Sequence, residues 1–153
     1  MSRTYFDDIA VGDRYASAQP ILVTAAEIIE FASRYDPQPA HTDPEAAETC
    51  FLGGLSASGW HTAALTMRLL SDCGFPIHAG AGSGAELRWL TPTRPGDELS
   101  VEVVVTETRL SRSKPDRGVV AIDYVTRNQS GEVRQRAHTA IVVPRDPALV
   151  TPQ

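Results

Sequence analysis

The chain has 153 residues, of which 42% are hydrophobic and 22% charged, and its formal net charge is −5. This length and balance predict one ordinary globular domain with a hydrophobic core of its own. The negative charge argues against general binding to nucleic acid or to anionic membranes, and an anionic substrate would require a local basic patch.

The sequence predicts neither export nor membrane insertion. The N-terminal segment lacks the apolar stretch of a signal peptide and carries acids early, and no apolar run approaches the ~20 residues of a transmembrane helix. Cys50 and Cys73 lack metal-binding spacing and are predicted to be reduced, buried residues. We therefore expect a cytoplasmic protein.

The first half of the chain is predicted to be mainly helical. After a strand over roughly 13–23, Thr24 and Glu27 form a capping box that begins a helix running to about Tyr35. The segment Asp36-Pro37-Gln38-Pro39 ends this helix, because proline does not continue a helix and disfavours helical backbone in the residue before it.

Two further helices follow. Asp43-Pro44-Glu45 has the cap, proline and acid of a helix start and predicts a short helix to about Phe51, which Gly53-Gly54 ends. Ser58-Gly59 then opens a longer helix over 60–72. Because this helix is apolar over most of its surface, we expect it to be buried in the core.

The second half is predicted to be β-structure. A flexible connector over 80–84 precedes the strands, whose turns are Pro95-Gly96-Asp97, 113–118 and 128–132. The four strands are expected at about 85–91, 98–109, 118–127 and 133–143. The end of the chain, 144–153, is expected to be a loose tail.

This order of elements indicates a single α+β domain, since helices and strands are separated along the chain. One long buried helix followed by a four-stranded meander, with an earlier strand to extend it, suggests an antiparallel sheet wrapped around the helix. That is the hotdog arrangement. Joining two such sheets edge to edge in a dimer would remove the exposed edges.

The first candidate for chemistry is a carboxylate and an imidazole five residues apart, Asp36 and His41. Pro37 and Pro39 stiffen the turn between them, so both side chains can face one reacting centre. Hydration of a conjugated thioester needs such a pair, one group to deprotonate water and one to deliver a proton. The residues alone nevertheless favour the plainer interpretation, a capping aspartate and a loop histidine.

The second candidate is the start of the long helix, Ser58-Gly59. Free N–H groups and the helix dipole can stabilise a developing enolate oxygen there, and Gly59 would allow a substrate to approach the backbone closely. A plain helix start with Ser58 as its cap is the alternative, which the residues alone again favour.

The run Phe31 to Ala47 resembles the signature of the MaoC-like dehydratases, also called R-specific enoyl-CoA hydratases. Its matching positions are an aromatic residue, an acid, a proline, a histidine and a small residue, namely Phe31, Asp36, Pro39, His41 and Ala46 or Ala47. The segment 53–70 is similar to the glycine segment and central helix of that family, and 95–99 to its turn into the long strands. The likeness extends over about 6–143.

The resemblance implies a hotdog domain that hydrates a trans-2-enoyl-CoA reversibly to a (3R)-3-hydroxyacyl-CoA. Asp36 and His41 would bind and activate the water and shuttle the proton to or from the α-carbon. The backbone N–H of Gly59 would contribute to the oxyanion hole. No metal or redox cofactor is implied, and the site would lie near the interface of a homodimer or larger homo-oligomer.

Three positions depart from the family pattern. Gln38 stands where the best-studied members carry Asn, Ser58 where many carry His, and Met67 where the hydratases can carry Ser. These changes leave the acid/base pair intact. They leave the shape and length of the acyl group open, as well as the choice between CoA and an acyl carrier protein.

Several other residues are weaker candidates. Trp60 and His61 are candidate substrate contacts, with packing roles as the alternative. A basic hairpin containing Arg109, Arg112, Lys114 and Arg117 is a candidate for contacts with CoA phosphates, with a solvated loop as the alternative and Arg88 as a weaker substitute. His78 and His138 lack suitably spaced partners, so no metal site with His41 and His61 is predicted.

Two other functions remain open at this point. A hotdog thioesterase would hydrolyse the same thioesters, although such enzymes more often carry their carboxylate on the central helix, which here has no acid before Asp72. A non-catalytic acyl-binding subunit would keep the fold without the chemistry, and the intact Asp36 and His41 pair argues against it.

Overall fold

The structure, a computed structural model, describes residues 4–76 and 81–150, and only the backbone of Ser83. Its helices are α1 (Ala25–Tyr35), α2 (Pro39–Thr42), α3 (Pro44–Glu48) and α4 (Gly59–Asp72). Its strands are β1 (Arg14–Ala16), β2 (Ile21–Leu22), β3 (Ala81–Trp89), β4 (Glu98–Leu110), β5 (Arg117–Arg127) and β6 (Val133–Pro144). Short 3-10 turns occur at Phe6–Asp8 and Pro147–Leu149.

The strands form one antiparallel sheet in the order β1-β4-β5-β6-β3, with β2 pairing β4 beyond β1. Alternate residues of β4 point into the core and are at most 1% exposed, namely Leu99, Val101, Val103 and Val105. Helix α4 contacts β4 and β6. The hotdog fold predicted from the sequence is therefore confirmed.

Helix α4 is buried on one face only, so the expectation of a helix buried nearly all round is wrong within the single chain. Leu69 and Leu70 are buried, whereas Trp60 is 60% exposed and Met67 is 50% exposed. The buried face also carries threonines, which are satisfied by hydrogen bonds. For example, the Thr66 hydroxyl lies 2.8 Å from the Thr126 hydroxyl of β5.

Two strand boundaries differ from the sequence expectation. The strand expected over 13–23 is divided into β1 and β2 by a bend that precedes Pro20, which has no N–H to donate. Of the expected flexible connector over 80–84, residues 81–84 instead begin β3. A register shift between Gly82 and Ala85 accommodates this segment, and Gly80 lies outside the described residues.

The start of the C-terminal segment, expected to be a loose tail, is held against the N-terminal turn at Arg145 and Asp146. The guanidinium of Arg145 lies 2.8 Å from the Asp7 carboxylate, which also accepts a hydrogen bond from the N–H of Asp146. Residues 151–153 lie outside the described part. None of the helices in the described ranges combines the length and apolarity needed to cross a membrane.

Candidate active site

Asp36 and His41 are brought together by two helix boundaries. Asp36 is the C-terminal cap of α1, which ends where the sequence predicts, and its N–H donates to Ala32 at 2.9 Å. His41 lies on the four-residue helix α2, which begins at Pro39 and which the sequence analysis missed. The result is a separation of 3.7 Å between Asp36 Oδ2 and His41 Nε2.

The surroundings of His41 define its tautomer. Nδ1 lies 2.7 Å from the backbone carbonyl oxygen of Ser56. Because a carbonyl oxygen only accepts, Nδ1 carries the proton and donates it. When the ring is neutral, Nε2 presents its lone pair toward Asp36. His41 is only 8% exposed, so this orientation is held by packing as well as by the hydrogen bond.

Asp36 is held as a carboxylate by two donors. The Ser58 hydroxyl donates to Oδ2 at 2.6 Å, and the Gln38 side-chain amide donates to Oδ1 at 2.6 Å. These hydrogen bonds, first that of Ser58 and then that of Gln38, lower the pKa of Asp36 below its ordinary value against the opposing effect of burial, and nearby His41 lowers it slightly more.

With the imidazole neutral, two hydrogen-bond acceptors face each other across a short gap. A separation of 3.7 Å is too long for a direct hydrogen bond between Asp36 Oδ2 and His41 Nε2. One water molecule can donate one hydrogen to each atom. The arrangement can therefore bind a water and take a proton from it.

The start of α4 supplies a free backbone donor next to this pair. Ser58 caps the helix, and its hydroxyl accepts the N–H of Trp60 at 3.2 Å. Gly59 is the first helical residue, and its N–H has no acceptor among the residues that the structure describes. With the dipole of a 14-residue helix behind it, this N–H can stabilise a developing oxyanion.

The structure gives a reason for a glycine at position 59 that the sequence did not reveal. A Cβ atom at this position would lie 2.7 Å from the Trp89 indole ring. The space beside its α-carbon is therefore filled by Trp89, and the approach of substrate to the backbone N–H at this position stays a prediction. The glycine allows β3 to pack against the helix start.

A pocket of about 610 Å³ opens beside these groups. Its walls combine apolar and polar side chains from the α3–α4 connection, from α4 and from the end of β3 onward. The lining residues that bear on the chemistry are His41, Gly59, Thr62, Trp89, Thr93 and Arg94. Phe51, which also lines the pocket, is fully exposed in the single chain.

Arg94 holds one wall of this pocket in place. Its guanidinium donates to the carbonyl oxygens of Gly54 at 2.7 Å and Leu55 at 3.2 Å, and also to that of Leu52. The carbonyl of Ser56, the partner of His41, follows directly in this segment. Arg94 thereby fixes the backbone that orients the catalytic candidate.

Comparison with known proteins identifies the family. Residues 8–128 match the family model described as the MaoC-like domain. This chain belongs to the MaoC-like domain family. The match spans α1 to α4 and continues to the end of β5, so it includes both parts of the candidate active site.

Individual relatives agree with this assignment. A MaoC-like dehydratase from Rhodospirillum rubrum is 52% identical, with a TM-score of 0.89 over 94% of this chain and 99% of that chain. The (R)-hydratase from A. caviae involved in PHA biosynthesis is 26% identical, with a TM-score of 0.71 over 89% of this chain and 98% of that chain. The uncharacterized protein YdeM of Bacillus subtilis is 29% identical over 126 residues, covering 80% of this chain and 86% of YdeM.

Two further candidates, Trp60 and His61, lie on α4 of this MaoC-like domain, and neither is among the residues that line the pocket. Trp60 is exposed and contacts Trp89 edge to face, with ring centroids 5.3 Å apart. His61 is buried and stacks on Phe31 at 4.6 Å, in a separate shallow groove between α1 and α4. Burial lowers the pKa of His61, partly offset by Glu27, so the ring is held neutral.

The basic hairpin is not brought to the pocket within one chain. Arg112, Lys114 and Arg117 follow the far end of β4, whereas the pocket adjoins Arg94, just before the near end of that strand. Arg117 is also paired with Asp116 at 2.7 Å. Arg88 points to the opposite face of the sheet from Trp89 and is paired with Glu86.

The sequence analysis missed Ser56, Trp89 and Arg94. A backbone carbonyl such as that of Ser56 leaves no sequence signal. The sequence signal that could have indicated Arg94 is its position directly before the predicted Pro95-Gly96-Asp97 turn. Among the described residues no group of three or more His, Cys, Asp or Glu side chains could hold a metal ion, and His78 lies outside them.

Proposed function

We propose that this MaoC-like domain adds water reversibly to a trans-2-enoyl-CoA, giving a (3R)-3-hydroxyacyl-CoA. The observation that carries the proposal is the facing pair Asp36 Oδ2 and His41 Nε2, 3.7 Å apart beside a pocket that is lined by His41 and by Gly59 with its free N–H. Membership of a hydratase and dehydratase family supports the general class of reaction.

The proposed mechanism gives one role to the Gly59 N–H and another to the Asp36 and His41 pair. The thioester carbonyl oxygen accepts the Gly59 N–H, which polarises the conjugated double bond. The bound water loses a proton to the Asp36 and His41 pair while its oxygen bonds to C3, and an enolate forms. The same proton then moves to C2 of the enolate. One O–H bond and the C2–C3 π bond are exchanged for C–O and C–H bonds, so no other reactant is consumed.

Several finer features belong to the same proposal. We infer that CoA or an acyl carrier protein carries the acyl group and that the reaction requires no added cofactor. The cytoplasmic location also stays a prediction. We further propose a homodimer, since β3 pairs only with β6 among the described strands and α4 exposes Trp60 and Met67.

An assay with crotonyl-CoA separates the candidate functions. Hydration removes the enoyl absorbance while the thioester stays intact, and chiral analysis of the released acid should give the (R) isomer. Release of free thiol would instead support a thioesterase. Neither signal with CoA or carrier-protein thioesters of several acyl lengths would leave an acyl-binding subunit and overturn the proposal.

Variants of the pair test the mechanism directly. Asp36→Asn and His41→Ala should each lower kcat/KM about 100-fold or more, the usual contribution of a general acid or base. The chain offers a matched control, because Asp123 and His138 form a second pair, 2.6 Å apart, on the outer face of the sheet. Asp123→Asn and His138→Ala should leave activity unchanged. Activity within about tenfold of wild type in both Asp36→Asn and His41→Ala would contradict the mechanism.

A further inference from the structure

Ser58 connects the two halves of the candidate active site through a single hydroxyl group. It is fully buried and is the N-terminal cap of α4. Its oxygen accepts the N–H of Trp60 at 3.2 Å, and its hydrogen is donated to Asp36 Oδ2 at 2.6 Å. The helix start that bears the free Gly59 N–H is therefore joined directly to the proposed acid/base pair.

The direction of this hydrogen bond is fixed by the helix. A hydroxyl has one hydrogen, and the Trp60 N–H approaches the serine oxygen as a donor. The serine hydrogen must therefore point elsewhere, and the nearest acceptor is Asp36 Oδ2. This is the same carboxylate oxygen that faces His41 Nε2 at 3.7 Å, whereas Gln38 holds the other oxygen.

We propose that Ser58 is a positioning residue that holds Asp36 Oδ2 toward His41 Nε2 as a proton acceptor and fixes it relative to the Gly59 N–H. This inference rests on the proposed hydratase function. Ser58 then aligns the water site with the oxyanion donor, so that attack at C3 and charge development on the thioester occur in one geometry. It contacts no reacting atom itself.

The electrostatics of the site agree with this role. Asp36 faces Gln38, His41 and Ser58, and His41 is the one titratable group in ion-pair range of it among the described residues. The Ser58 hydrogen bond is the largest cause of the lowered pKa of Asp36. A hydroxyl that donates a hydrogen bond to a carboxylate stabilises its charged form and thereby lowers its pKa.

The competing interpretation is that Ser58 only caps α4, and two substitutions distinguish the roles. Ser58→Ala removes both the cap and the hydrogen bond to Asp36. Ser58→Gly also removes the hydrogen bond, but glycine is a tolerable N-terminal cap, so α4 is disturbed much less. Thr24→Ala serves as the matched control, because it removes the cap of α1 without touching the Asp36 carboxylate.

The first measurement is independent of turnover. In protein labelled with ¹³C at the aspartate carboxyl carbons, the Asp36 signal, identified by its loss in Asp36→Asn, is followed as the pH is varied. The midpoint should rise by about one pH unit in both Ser58 variants, as expected for the loss of a hydrogen bond to a charged group. Thr24→Ala should leave it unchanged. An unchanged midpoint in folded Ser58→Gly would overturn the proposal.

The second measurement is the pH profile of crotonyl-CoA hydration. In both Ser58 variants, kcat should fall about tenfold or more at pH 7 with KM little changed, since misplaced catalytic groups lower the rate of the chemical step. The acid limb of kcat/KM should move upward with the Asp36 midpoint. Wild-type kcat and acid limb in Ser58→Gly would also overturn the proposal. If the wild-type protein does not hydrate enoyl thioesters, the proposed function fails, while the Asp36 titration still decides whether Ser58 controls the carboxylate.

Discussion

Helix α4 can begin at Gly59 because glycine has no side chain. The indole ring of Trp89 occupies the place that a Cβ atom of Gly59 would need. Trp89 is in turn held by a hydrogen bond of 2.9 Å from its indole N–H to the Gln135 side chain. Gly59 is therefore a packing requirement as well as the source of the free N–H in the pocket.

Substitution of Gly59 tests this double role. Gly59→Ala places a Cβ atom 2.7 Å from the Trp89 ring, so the helix start or the indole must move. Overpacking of this kind lowers the free energy of unfolding by about 1–3 kcal/mol. We also expect kcat to fall about 100-fold because the oxyanion donor is displaced.

A matched control exists in β3. Gly82 has open space around its Cβ position, so Gly82→Ala should leave thermal stability and turnover unchanged. The double variant Gly59→Ala, Trp89→Leu should recover part of the stability, because the smaller side chain relieves the contact. Wild-type melting and turnover in Gly59→Ala would show that the helix start tolerates a side chain.

Sequence patterns located the residues proposed to carry the chemistry but not the contacts that orient them. Asp36, His41 and Gly59 stand out because prolines and a helix start surround them. The hydrogen bond from His41 to the Ser56 carbonyl depends on how the chain folds back over 15 residues, and a backbone acceptor has no residue type. The hydrogen bond from Ser58 to Asp36 spans 22 residues, so it also depends on how the chain folds and could not be predicted from the sequence.

At the scale of elements, α1 and α4 are joined by an aromatic stack. The His61 ring lies parallel to Phe31, with centroids 4.6 Å apart and an interplanar angle of 7°. His61 is 6% exposed, and its Nδ1 has no hydrogen-bond partner in the described part of the chain. Because Asp36 caps α1 and Ser58 caps α4, this stack helps to keep the two caps in contact.

The stack makes stability depend on pH. Burial lowers the pKa of His61 in the folded protein below 6.5, so the unfolded chain binds the proton first as pH falls. The His61 contribution is therefore fully present above pH 6.5 and is lost progressively below it. His61→Phe retains a stacked ring without a titrating nitrogen. Urea midpoints at pH 8 and pH 5.5 should differ less in this variant than in wild type, and an equal difference would contradict the role of His61.

Regular elements followed their sequence signals closely, and irregular ones did not. Helix α1 begins after the Thr24 cap and ends at Tyr35, because capping and proline signals act locally. Helix α2 is one short turn and offers no periodicity to detect. The threonines on the buried face of α4 were also not expected. The Thr66 hydroxyl is satisfied by the Thr62 carbonyl in the same helix and by the Thr126 hydroxyl of β5, a contact between distant parts of the chain.

At the scale of the whole molecule, one surface of α4 is unaccounted for by the single chain. The sheet covers the face that carries Leu69 and Leu70, whereas Trp60 and Met67 face outward on the other side. The edge strand β3 ends beside this exposed face of α4, since its last residue, Trp89, contacts Trp60. These features together support the proposed homodimer, in which a second copy would cover α4 and pair with β3.

Met67→Lys tests this assembly without touching the acid/base pair. In the proposed dimer, a charged ammonium at this position would be left desolvated and unpaired, which should weaken self-association by about tenfold or more. Analytical ultracentrifugation over a range of concentrations measures the change.

Leu110→Lys is the matched control, because Leu110 is 54% exposed, close to the 50% of Met67, but lies at the far end of β4. A monomeric wild type, or equal masses for both variants and wild type at every concentration, would contradict the dimer. If the dimer exists and completes the pocket, dilution of Met67→Lys should lower specific activity in parallel with dissociation, whereas Leu110→Lys should keep its activity.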